Sequence, residues 1–405
     1  MVKAGRVLAA LLLAVVPVTT ARAVAGTTAP HWTGSWEAAP SGTATALPGA
    51  AFRNVVHLSV GGGAVRIRLS NRLGTAPLRL GAVTVALRRA AGPDAVPGTL
   101  RTATFQGAPT ATVPPGRDVL TDPVPLTVPA AADLLVTVLT PDDSGPATFH
   151  RTALQTSYLA PGGTGHAADE TGSAYTLATG SWYYVTGVDV LGTAEGSVVA
   201  FGDSLTDGNG STPDTNHRWP DRLAERLGRL GVLNAGVAGN RLLRDGTGPS
   251  ALARLDADAL DRAGARVLVV LEGINDIKGT PVADDPAAFA AAYRTLVERA
   301  HAHGVRVVGV TLTPYAGYTA YTAAGEAVRQ RVNAFIRTGG AFDAVADADA
   351  AVRDPARPER ILPGYDPGDH LHFNDDGMRA IADSVAAALA RWPVSPTAPR
   401  PATPP

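Results

Sequence analysis

Four separated stretches of the chain carry side chains that together could perform acyl transfer. In GDSL, Ser204 follows the apolar run Val198–Phe201, so it falls on a turn just past the carboxyl end of a buried strand, where open α/β sheets bind ligands. A serine hydroxyl is a weak nucleophile until a base takes its proton, and an imidazole suits that task near neutral pH. In DHLH, Asp369 and His372 lie three residues apart, so one turn of chain lets the carboxylate hold the imidazole by its second nitrogen. His370 competes for the role, although it adjoins Asp369 directly and so points elsewhere.

An oxyanion needs donors as well. In NAGVAGN, Gly236 and Gly239 let the backbone approach a ligand and present an N–H. In EGINDI, Asn275 follows the apolar run RVLVVL, again at a strand's carboxyl end, and Asp276 beside it reads as structural. The donor set is thus the N–H of Ser204, the N–H of Gly239 and the amide of Asn275. The α/β-hydrolase elbow G-x-S-x-G is disfavoured, because Thr206 takes the place of its last glycine. DGNGSTPDTNHR starts with calcium-loop spacing, but Thr212 stands where glycine is needed and Arg218 where the bidentate acid is needed. No metal and no cofactor is expected.

Composition narrows the remaining classes. The chain has 405 residues, 35 Lys+Arg against 36 Asp+Glu, and no cysteine. Length suits two domains, balanced charge argues against nucleic-acid partners, and a thiol nucleophile is excluded. The only lysines, Lys3 and Lys278, lie outside any phosphate-loop setting.

The elements that must position these groups change character along the chain. Residues 1–25 have Lys3 and Arg6, an apolar run from Val7 to Val18 and small residues near Ala23, which reads as a secretory signal peptide and predicts an extracellular protein. No later run is long and apolar enough for a span, so stable membrane association is not expected. Residues 26–192 alternate in short β segments between Gly/Pro turns, predicting a jelly-roll-like β-sandwich whose aromatics, such as Trp182 or Tyr183, could bind a polymer. Residues 196–392 alternate apolar strands with amphipathic helices, predicting a parallel sheet covered by helices. Residues 393–405 form a Pro-rich tail expected to be disordered.

The four blocks in this order resemble the SGNH (GDSL) hydrolase family, in the secreted actinobacterial form with an N-terminal β domain. The resemblance implies a three-layer α/β/α domain and a carboxylic ester hydrolase using Ser204, Gly239, Asn275 and His372, with Asp369 supporting His372. It permits carbohydrate O-acetyl, aryl, short-chain, lysophospholipid and thioester substrates; an acyltransferase or an inert glycan-binding protein are the other readings. The expected partner is a small-molecule or polysaccharide ester, acted on by a monomer. Tyr315 and Tyr318, in TLTPYAGYTAY after a predicted strand, are expected to offer a flat amphipathic wall for a sugar or aryl alcohol and to favour short acyl groups.

Overall fold

The computed structural model describes Met1, Val2 and residues 29–391. The predicted leader, apart from its first two residues, and the Pro-rich tail lie outside the described residues. From His31 to Gly192 the described chain is strands and turns. In Ala64–Ser70 the residues Val65, Ile67 and Leu69 are buried while Ala64, Arg66 and Arg68 are half-buried, the period of two that a one-sided strand requires.

Those inward residues belong to a four-stranded antiparallel sheet ordered His31–Glu37, Val185–Gly192, Ala64–Ser70, Asp118–Leu120. They share one apolar core with Val83, Val85, Val136 and Val138 of a six-stranded antiparallel sheet, and the two faces make a β-sandwich. Trp182 sits inside this core, 3% exposed, with its indole N–H donated to Val55 O at 2.7 Å. It is therefore no platform for a polymer. Tyr183, half-buried, stacks on Phe52.

Beyond Ser197 the strands are continuous apolar runs, as in fully buried Ser197–Gly202, because helices cover both of their faces. Five parallel strands run in the order Gly231–Gly236, Ser197–Gly202, Ala265–Leu271, Arg306–Val310, Ala344–Ala346. Helices Trp219–Leu227 and Asp375–Ala390 pack on each other in one layer, while Pro286–Ala302, Ala323–Thr338 and Ala251–Leu255 form the other. Their starts are capped by side chains: Asp285 accepts from Ala287 N, Thr322 from Gly325 N, and Asn374 from Asp376 N and Gly377 N. The first strand in sequence lies between the second and third, so the connections leave it in opposite directions. That places a switch point at its carboxyl end.

The sandwich closes the edge of the parallel sheet. Gly231–Gly236 would otherwise expose its backbone, but Ala38 bridges Asn234, Val232 N donates to Ser59 Oγ at 2.9 Å and Gly34 N donates to Ala263 O at 2.8 Å. A Cβ on Gly231 would stand 2.0 Å from Gly34 O, so the backbones meet there directly. Buried polar side chains meet across the same contact: Arg262 Nη2 lies 2.7 Å from Glu37 Oε1, and the Arg72–Asp258 ion pair closes at 2.5 Å from Nη2 to Oδ1.

Candidate active site

Ser204 opens a single helical turn, Ser204–Asp207, directly after the central strand. The turn is capped by Asp203, whose Oδ1 accepts from Leu205 N at 3.0 Å. The serine hydroxyl is therefore not spent on capping. His372 Nε2 lies 2.9 Å from Ser204 Oγ, and His372 Nδ1 lies 2.5 Å from Asp369 Oδ2. The other oxygen of Asp369 accepts from the N–H groups of Leu371 and His372 at 3.0 and 2.9 Å. Partial burial raises the carboxyl, but those N–H groups and the His372 ring outweigh it and hold Asp369 below the usual carboxylate range.

Alternation in the loop orients this pair. Leu371 and Phe373 are buried in the core, so His372 between them faces outward toward Ser204. A Cβ on Gly210 would meet Phe373 O at 2.5 Å, which brings the loop after Ser204 against the histidine loop. Asp375, at the start of the closing helix, ties both loops by accepting from Thr212 N at 2.8 Å and contacting His217 Nδ1 at 2.6 Å. His370 is turned away: its φ is +63°, and its Nδ1 sits 2.5 Å from Asp366 Oδ2.

The glycine block follows strand Gly231–Gly236 and is pinned along its length. Val237 N donates to Gly202 O at 3.0 Å, Ala238 N to Asp207 Oδ2 at 2.9 Å and Asn240 N to Val237 O at 2.9 Å. Among the described residues the N–H of Gly239 has no acceptor, nor has that of Ser204. Gly239 has φ +83°, a conformation that suits glycine, and a Cβ there would press on Thr247. Asn275 donates one amide hydrogen to Asn240 O at 2.9 Å, which leaves the second for another acceptor. Asp276 is structural, accepting from Leu242 N and Leu243 N at 2.7 and 3.0 Å.

Beneath this loop lies Arg254, 3% exposed, which the sequence reading had not singled out. It donates to Asn240 Oδ1, Ala235 O and Gly202 O at 2.8, 2.7 and 2.9 Å, joining the serine turn to the glycine block. Within ALARLDADAL only Asp258, four residues on and 3.5 Å from the arginine Nη1, hints at this arginine's place, because the carbonyls of Gly202 and Ala235 that receive it are distant in sequence. Among the described residues no group of three or more His, Asp or Glu is placed to hold a metal ion.

The tyrosine wall needs correction. Tyr315 is fully buried, packing edge-on against Tyr321 at 5.1 Å, so it cannot line an open surface. An amphipathic loop after a strand reads the same in sequence whether its ring turns in or out. Tyr318 is half-buried, with the Lys278 ammonium 4.9 Å from its ring centroid, beside the helix that carries Asn275.

Residues 200–380 match the model of the GDSL-like Lipase/Acylhydrolase family. The matched stretch resembles that family along its length. It is a carboxylic ester hydrolase domain, and the match spans the serine turn, the glycine block, Asn275 and the Asp369–His372 loop. Similar solved structures include a carbohydrate acetylesterase from Sinorhizobium meliloti at 17% identity and TM-score 0.40, covering 48% of this chain and 98% of that one. An aryl esterase from M. smegmatis has 19% identity and TM-score 0.39, covering 48% and 98%. A GDSL-like lipase from Bacteroides thetaiotaomicron has 17% identity and TM-score 0.36, covering 49% and 87%. No curated protein sequence matches this chain.

Proposed function

We propose that the protein is an exported serine esterase that cleaves short acyl esters, acetyl-like in size, of carbohydrate or aryl alcohols. The observation that carries this reading is the contact chain from Ser204 Oγ through His372 to Asp369, together with the N–H groups of Ser204 and Gly239, which have no acceptor among the described residues. His372 takes the proton of Ser204 as Oγ attacks the ester carbonyl. Ser204 N–H, Gly239 N–H and the free hydrogen of Asn275 receive the oxyanion, and His372 returns the proton to the departing alcohol. Water, deprotonated by the same imidazole, then releases the acid from Ser204.

Support for a short acyl group comes from the surface. The exposed large apolar residues described are Met1, Val2, Leu47, Leu177 and Val282, and none lies in the four blocks. A long alkyl chain gains about 0.8 kcal/mol per methylene only where apolar contacts receive it. Tyr318 is the remaining candidate for contact with the alcohol. Export rests on the leader sequence alone, and detection of mature protein in culture medium tests it. Turnover of p-nitrophenyl esters from acetyl to decanoyl tests the rest, with highest kcat/KM expected at acetyl to butyryl. A maximum at octanoyl or beyond would overturn the short-chain reading in favour of lipid esters.

A further inference from the structure

His150, at the end of sandwich strand Ala147–His150 and 3% exposed, touches the serine turn from the other half of the molecule. Its Nδ1 lies 2.8 Å from Ala39 O, and its Nε2 lies 2.9 Å from Asp207 Oδ1 and 3.3 Å from Thr152 O. Carbonyl oxygens and an ionised carboxylate only accept, so beside an ionised Asp207 both ring nitrogens carry protons and the ring is an imidazolium. Burial pushes His150 down, yet the Asp207 carboxylate and the two carbonyls leave it above the ordinary imidazole range.

Asp207 closes the turn that Ser204 opens, and its second oxygen accepts from Ala238 N at 2.9 Å, one residue before Gly239. There is no slack in this contact, since a Cβ on Gly236 would lie 2.2 Å from Asp207 N. The Trp182 ring, 5.4 Å from the imidazole, packs beside it.

We propose that His150 of the β-sandwich is a positioning residue for ester hydrolysis: by holding Asp207 it sets the Ala238–Gly239 segment that presents the oxyanion donor. The inference rests on Gly239 being such a donor. Without the Nε2 proton the buried Asp207 carboxylate keeps one partner from two, and it turns toward other donors, taking Ala238 with it.

Two substitutions in the full chain separate the ring's contacts, because an Asn amide nitrogen stands near the place of Nδ1 and a Gln amide nitrogen near that of Nε2. His150→Asn keeps the Ala39 contact and loses Asp207; it should lower kcat roughly 10–100-fold, with KM within about twofold. The inhibition constant for phenylboronic acid should weaken by the same factor. Its boron bonds to Ser204 Oγ, the proton passes to His372, and the tetrahedral adduct places an oxygen on the same donors. His150→Gln should stay within about threefold of the unsubstituted protein in both readings.

A folded His150→Asn with unchanged kcat and boronate affinity, or equal losses in the two variants, would overturn the proposal. Should neither variant fold, the ring ¹⁵N resonances of His150 in the unsubstituted protein decide: imidazolium at pH 7 supports the proposal, and a bare Nε2 overturns it. Ser204→Ala is the separate control, since its retention of esterase turnover would overturn the serine mechanism itself.

Discussion

Ser204 and His372 act through one proton, so removing either should cost about the same. Ser204→Ala is expected to lower kcat for p-nitrophenyl acetate by roughly 10⁵–10⁶-fold, and His372→Ala nearly as much, with the fold intact by circular dichroism. His370→Ala should stay near the starting rate, because that ring is turned to Asp366. A dead His370 variant beside an active His372 variant would reverse the assignment. Asn275→Ala should lower kcat roughly 10²–10³-fold and spare KM, since the oxyanion exists only in the transition state. These residues were legible in sequence because each sits beside a marker with a local meaning: a strand end, a glycine, or an Asp three positions from a His. Tyr315 was misplaced because no local marker distinguishes a buried loop ring from an exposed one.

Three of the five parallel strands and the four long helices were readable from apolar runs and period, and the strand ends that carry Ser204 and Asn275 followed from them, whereas strands Gly231–Gly236 and Ala344–Ala346 were not read. The tightness between elements was not readable either. Gly236 has ordinary φ, and only the turn Ser204–Asp207 pressed against it makes a side chain intolerable there. Gly236→Ala is therefore expected to cost about 1–3 kcal/mol or more, as overpacking does, and to reduce turnover. Gly246→Ala, in the loop after the glycine block with open space around its Cα, should leave both the melting temperature and the rate unchanged. Equal effects of the two substitutions would show that the close packing of strand and turn does not matter. Asp207 and His150 stayed hidden for a related reason: 57 positions separate them, and each alone reads as an ordinary polar residue.

Across the molecule, buried acids make stability depend on pH in a defined direction. Burial pushes Glu37 up to about 8 and Asp203 up to about 7, and raises Glu272 and Asp276 as well. These groups keep protons in the folded state that the unfolded chain releases above about pH 4, so stability is lost as pH rises toward 8. His150, raised by Asp207 against its burial, adds the same sign. Asp258 and Asp369, held low by their partners despite burial, act oppositely and lose their contribution only below about pH 4. The melting temperature should therefore be higher at pH 5 than at pH 8, and a steady rise across that range would refute the burial argument. A chain begun at residue 196 should be insoluble or inactive, as it would expose the edge of Gly231–Gly236 and leave Arg262 without Glu37. Soluble, active protein from that start would show that the sandwich is dispensable.

The contact of Gly34 with Gly231 has a consequence for recombination. Modular enzymes diversify by exchanging whole units at linkers, and here Thr193–Gly196 looks like the place to cut. The joint, however, is a surface whose two sides are encoded some 200 positions apart, as Gly34 and Gly231 are. A chimera that replaced residues 29–192 with a foreign sandwich would inherit an intact serine turn above an unmatched seam, so the two halves are bound to change together.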